Sequence, residues 1–287
     1  MRRLVQAVVL LGAIMAQGCG SLRNPGDITP ESLLQAAHAS PQSVALDIYW
    51  ARVAAQEPAW HDALWESVQE ERIQVEVRRA LAENGLRAGV VGGNPNNAIV
   101  RLLNPNPEAT PEQREQAALS GEAKVTRRMM SLRQGQRGEV QATPSAVDCT
   151  LIRRREGELT GRPYSRAQGL YAVEVIRREG DRIELELTPE VQHGQPKMQY
   201  TAAGPGTVVQ RPGQDREIFD DLRTRVSLVS GEMLVVAPLP DAASKLGGMF
   251  HTTAGVEGAQ QRILLVRLSQ VPPSKALAEQ TAAWPWD

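Results

Sequence analysis

YAVEVIRREGDRIELELTPEV, residues 171–191, decides the fold class. Two runs that alternate apolar and polar residues flank the turn-forming triplet Glu179-Gly180-Asp181, the pattern of a β-hairpin. Tyr171, Val173 and Val175 share one face of the first run, and Ile183, Leu185 and Leu187 share one face of the second. A sheet with one apolar face is therefore expected here. Upstream, residues 122–132 and 138–143 read as strands around a Gln-Gly-Gln-Arg turn, and 147–153 continues the series. Downstream, a loop rich in Gly and Pro over 202–214 precedes RVSLVSGEMLVVAPL (225–239), which reads as a second hairpin turning at Ser230-Gly231. RILLVRLSQV (262–271) is the last strand. Its run Ile263 to Val266 does not alternate, which predicts a strand covered on both faces and central in its sheet.

Toward the N-terminus, SVALDIYWARV (43–53) alternates like a half-buried strand. Pro58 suits a helix start, and Trp60, Leu64, Trp65 and Val68 follow at helical spacing. A second helix carries Ile73, Val77, Ala80 and Leu81 on one face and stops at Asn84-Gly85. Residues 86–91 return to strand. The chain is thus expected to be α+β, with a small β-α-α-β unit (43–103), a proline-rich linker (104–121) and a predominantly antiparallel β domain (122–271), followed by a tail (272–287).

The first residues supply an address. Arg2 and Arg3 precede an apolar run, Leu4 to Ala16, of about 13 residues, the length of a signal-peptide core and short of the roughly 20 that a spanning helix needs. Ala16-Gln17-Gly18-Cys19 resembles the lipobox of bacterial lipoproteins. That resemblance implies a signal peptide over 1–18, cleavage after Gly18, lipidation of Cys19 and a tether over 19–42, with Gly20 and Ser21 favouring the outer membrane, facing the periplasm. Ala16 and Gly18 also satisfy the small-x-small pattern of ordinary secretory cleavage, which would release a periplasmic protein in which Cys19 and Cys149 can pair. With Cys19 acylated, Cys149 is expected to be a buried, small apolar residue.

Loss of Arg2 and Arg3 takes the formal charge from -1 to -3, which argues against nucleic acid as a partner. Of the 32 basic residues four are lysine and the other 28 arginine. The arginine groups at 127–128, 153–155 and 177–178 read as solvated strand ends. No G-x-S-x-G, S-x-x-K, H-E-x-x-H or P-loop pattern occurs, and His38, His61, His193 and His251 lack zinc-site spacing. Gly204-Pro205-Gly206 reads as a flexible loop. Asp62, Glu66 and Glu70 read as one solvated helical face, and Gly92 to Asn97 as a strand-to-strand turn. No catalytic residue, cofactor or metal site is predicted.

SLVSGEMLVVAPLP, then KLGGMF, then QQRILLVRLSQV together resemble the end of the secretin homology domain of bacterial secretion channels. Gly231, Glu232, Leu246, Gly247 and Phe250 carry the likeness. The proline-rich sequence that usually precedes the Leu-Gly element is missing, as is a long amphipathic hairpin between Leu187 and Val226, so the resemblance implies a secretin-like β fold without a channel role. Two functions follow as expectations: a non-enzymatic, lipid-anchored envelope protein that scaffolds or binds other envelope proteins, and, as the alternative, a periplasmic hydrolase whose site forms only in the fold.

Overall fold

The computed structural model describes residues 43–55, 59–120, 123–204, 207–255 and 258–272. The signal segment, Cys19 with its tether, Pro58 and the tail beyond 272 lie outside the described residues. The elements run β1 (Ser43–Ala54), α1 (Ala59–Trp65), α2 (Val75–Glu83), β2 (Leu86–Val91), α3 (Asn97–Leu103) and α4 (Pro111–Leu119). A long β succession follows: β3 (Val125–Arg133), β4 (Arg137–Gln141), β5 (Val147–Arg155), β6 (Glu158–Glu179), β7 (Arg182–Gly204), β8 (Thr207–Ile218), β9 (Thr224–Val229) and β10 (Met233–Pro238). The short helix α5 (Leu246–His251), β11 (Thr252–Gly255) and β12 (Gly258–Gln270) close it. The chain is mostly antiparallel β with helices.

Two sheets carry the fold. In the first, the order is β2-β10-β12-β1-β3, with β11 also on β12; in the second it is β4-β6-β7-β8, with β5 on β6 and β9 on β7. β12 is central, as its unbroken apolar run predicts, and Ile263, Leu264, Leu265 and Val266 are all fully buried. Alternation then sorts its side chains between two cores. Leu264, Val266 and Leu268 join Val44, Leu46 and Ile48 of β1 and meet Tyr171, Val173, Ile183 and Leu185 of the second sheet. Ile263 and Leu265 point the other way, onto Leu64 and Trp65 of α1 and Ile99 of α3. The first sheet is thus sandwiched between a helical layer and the second sheet, which explains why its central strands are apolar on both faces.

Several expectations need correction. β1 and β2 share a sheet with β10 and β12, so the sheet does not respect the expected division at 104–121. That stretch contains α4, started by a capping box in which the Thr110 hydroxyl accepts from Gln113 N–H and the Gln113 side chain accepts from Thr110 N–H. The segment 225–239 is no hairpin: β9 pairs with β7 and β10 pairs with β2 and β12, so Ser230-Gly231 is a corner where the chain changes sheets. A local turn signal is the same for both outcomes. The expected loop at 202–214 is ladder instead, with β7 and β8 pairing from Glu190 and Ile218 out to Gly204 and Thr207, which places a long hairpin between Leu187 and Val226. Pro212 is tolerated because β8 is an edge strand, where one side of the backbone needs no N–H. Gly92 to Asn97 leads into α3, whose first turn is capped by the Asn96 side chain accepting from Ile99 N–H at 3.0 Å, and not into a strand. Helix α1 ends at Trp65, so Glu66 and Glu70 do not continue its face; Glu70 instead takes a two-pronged ion pair from Arg87.

The KLGGMF element is explained by backbone contact. Asn84-Gly85 ends α2 with Gly85 at φ +79°, and a Cβ on Gly247 would lie 1.8 Å from Gly85 O. Gly247 N–H also donates to Asn84 O at 3.0 Å. No side chain fits between two such close main chains. Gly247→Ala is expected to destabilise the protein by more than about 2 kcal/mol, read as a fall in the urea midpoint, whereas an unchanged midpoint would show that α5 can shift freely.

Candidate functional site

The inward faces of the two sheets are apolar along most of their length, but at one end polar groups gather. The Tyr171 hydroxyl lies 2.6 Å from His251 Nε2, and His251 Nδ1 lies 2.6 Å from Arg262 O. A carbonyl only accepts, so Nδ1 carries the proton, Nε2 is the acceptor and Tyr171 donates. Trp50 packs against the imidazole with centroids 5.4 Å apart, and the Tyr171 ring meets Phe250 edge-on at 5.2 Å. Phe250 in turn needs Gly169 opposite it, because a Cβ there would sit 2.6 Å from its ring.

Burial governs the chemistry of this pair. His251 has no exposed surface, and loss of hydration, with the Arg262 charge, pulls its pKa down to about 3 against the support of the Arg262 carbonyl. Burial likewise pushes the Tyr171 hydroxyl well above its ordinary value. Both groups are therefore held neutral at neutral pH and joined by a hydrogen bond in a buried setting.

Beside them, Arg262 lays its guanidinium over Trp50, 4.2 Å from the ring centroid, and donates from Nη1 to Ala142 O at 2.6 Å. Arg52 stands directly opposite Arg262 in the β1–β12 ladder. Desolvation, together with the Arg52 charge, draws the Arg262 pKa down to about 10. The two arginines line a small cleft of about 160 Å³ with Gln141, Thr143, Pro144 and Thr253. Thr143, Pro144 and Thr253 also border a larger cavity of about 410 Å³ that runs past Cys149 toward Ser244 and Lys245 at the start of α5. Cys149 is only half-buried there, not the buried residue expected; burial, then the neighbouring Asp148 carboxylate, raises its thiol pKa.

The sequence-predicted positions lie at the two ends of β10. Gly231, at φ +92°, and Glu232 form the corner between sheets. Glu232 accepts from Arg72 at 2.7 and 3.0 Å and from Val229 N–H at 2.9 Å. Burial works against its charge, but these bonds and the Arg72 and Arg182 charges outweigh it and hold the carboxyl below its ordinary pKa. Leu246, Gly247 and Phe250 sit at the other end, buried in α5 against the Tyr171–His251 pair. Gly18 and Cys19 lie outside the described residues. Arg153 is not a solvated strand end: it bridges Asp221 and Glu217 and stacks on Phe219 at 4.7 Å. Elsewhere arginines also hold the carboxylates, Arg137 and Arg216 on Glu190 and Arg127 on Asp47. Among the described residues no group of three His, Cys, Asp or Glu is arranged to hold a metal ion.

Sequence reasoning passed over Trp50, Arg52, Tyr171, His251 and Arg262. A signal did exist in strand parity. Arg52 continues the inward series Val44, Leu46, Ile48, Trp50, and Arg262 opens the inward series Leu264, Val266, Leu268, so two arginines occupy core-facing positions. Compared with known proteins, the chain matches no family model, no curated protein and no solved structure.

The linkage sign of His251 is fixed by its lowered pKa. The unfolded chain protonates it below about 6.5, while the native state refuses the proton down to about 3. Stability from this pair is therefore complete above pH 6.5 and declines as pH falls, by up to about 1.4 kcal/mol per unit. Urea unfolding between pH 7 and pH 5 is expected to show a shallower pH slope in His251→Gln than in the native protein; equal slopes would mean that the imidazole is not held neutral.

Proposed function

We propose that this chain is a non-enzymatic, lipid-anchored envelope protein, held through Cys19 in the outer membrane and facing the periplasm, whose β body binds or scaffolds other envelope proteins. The observation that carries this reading is the β3 edge. Among the described residues only β1 pairs with this nine-residue strand, and its outer side is exposed, with Met129 two-thirds accessible. An open edge offers a row of backbone donors and acceptors to an added strand. Asp47 beneath it is tied to Arg127, so the edge is held firm without being covered.

Other features agree with a binding module rather than a hydrolase. The most strongly perturbed acid-base groups, Tyr171 and His251, are sealed in the core, and the buried carboxylates Glu186 and Glu190 and the half-buried Glu217 and Glu232 are engaged by arginines. The secretin resemblance supports the same reading: both of its short motifs serve to seat β10, the Gly-Glu corner at one end and the Leu-Gly-x-x-Phe helix at the other.

Two measurements test the proposal. Mass spectrometry of the mature protein is expected to find an acylated N-terminal Cys19, with Cys19→Ala moving the protein out of the membrane fraction; an unmodified terminus would sink the anchor. A photo-crosslinking residue at Met129 is expected to capture one stoichiometric envelope protein that the same probe at Leu119, on exposed α4, does not. Identical products from the two positions would overturn the β3 assignment.

A further inference from the structure

We propose that the β3 edge is a dock for an acidic strand, and that the incoming segment carries two adjacent acidic residues preceded by an apolar one. The inference rests on the β3 reading above and adds the chemistry of the partner. β3 contains Arg127, Arg128 and Arg133 and no acidic residue. Neighbouring residues of a strand point to opposite faces, so Arg127 and Arg128 place one cation on each face of the same edge. Their surroundings differ. Arg127 stands opposite Tyr49 and is fixed by the buried Asp47, which takes its Nε and Nη2. Its side chain stays 60% exposed, with Nη1 outside that pair. Arg128 stands opposite Ile48 and is an exposed guanidinium with no ion-pair partner among the described residues.

Opposite charges facing each other across a ladder stabilise it, and like charges weaken it. A second copy of this edge would bring arginine toward arginine with no carboxylate between them, which turns away self-pairing. The same charges select a strand that carries carboxylates, so rejection and recognition come from one feature. Every ladder of the first sheet is antiparallel, and an added antiparallel strand continues that pattern. Opposite Arg127, Arg128 and Met129 it presents, in reverse chain order, an acid, a second acid and an apolar residue, the last covering the exposed Met129. Asp47 already holds Arg127 in place, which lowers the ordering cost of taking a second carboxylate.

Fluorescence anisotropy of the full chain with three labelled peptides tests this: Thr-Val-Thr-Val-Glu-Glu-Thr-Val-Thr and its Gln-Gln and Lys-Lys twins. The Glu-Glu peptide is expected to bind about tenfold more tightly than the Gln-Gln twin and to lose that advantage as salt rises, because the pairs are exposed. Methylation of alternate backbone nitrogens in the Glu-Glu peptide is expected to abolish binding, since such a peptide cannot join a ladder. Arg128→Glu, a change at an exposed position, is expected to reverse the order in favour of the Lys-Lys twin. Equal binding of the three peptides would leave an open edge without charge selection and overturn the acidic dock alone. Binding of none would overturn the dock, and with failed capture at the Met129 probe the β3 edge as well. Binding that survives backbone methylation, or an acidic preference that survives Arg128→Glu, would place recognition elsewhere and overturn the proposal.

Discussion

The pairing of β1 with β12 is the constraint on which the rest of the molecule depends. It joins Ala45–Ala54 to Gln260–Gln270, near the two ends of the described chain, and it sets the parity of every side chain in the first sheet. A slip of one residue would turn Leu264 and Val266 toward the helices and Ile263 and Leu265 toward the second sheet, exchanging two cores that are shaped differently. Because this contact closes nearly the whole chain, its loop-closure cost is met late, and folding is expected to be slow for the protein's size.

Around that pairing the two sheets solve the burial problem in different ways. In the first, β10 and β12 are covered on both faces and use continuous apolar runs, while β1 alternates. The second turns one face to the first sheet; its other face carries an arginine and glutamate lattice in which the buried Glu186 and Glu190 are each gripped by two arginines. This is the structural use of much of the arginine excess. Forked guanidinium groups can bridge neighbouring strands in a way that lysine does not, and they cover a sheet face without making it apolar.

What could be read beforehand was what depends on short range. Alternation over 43–53 and 171–191, the positive-φ glycines at Gly135 and Gly180, and the non-alternating run at Ile263 to Val266 each reflect a local steric or burial demand, and each element stands where it was expected. What escaped depends on partners distant in sequence. Ser230-Gly231 has the same local chemistry whether its strands pair together or part, and it is Arg72 on Glu232 with Leu268 on Gly231 N–H that settles the corner. Gly247 could be seen as unusual, but its reason lies at Gly85. Strand parity marked Arg52 and Arg262 as inward, but that they face one another, and that Tyr171 meets His251, follows only when β1, β6, α5 and β12 are brought together.

The position of β1 also has a mechanical meaning. It is the strand that directly follows the N-terminal segment and is bonded along both edges, to β12 on one side and β3 on the other. A pull applied through that segment, along the strand, loads the two ladders in shear, so many hydrogen bonds share the force at once instead of opening one by one. The side chains of Leu46, Ile48 and Trp50 would have to be dragged through packed core in the same step. A load applied there therefore meets a strand bonded along both edges and anchored in the core.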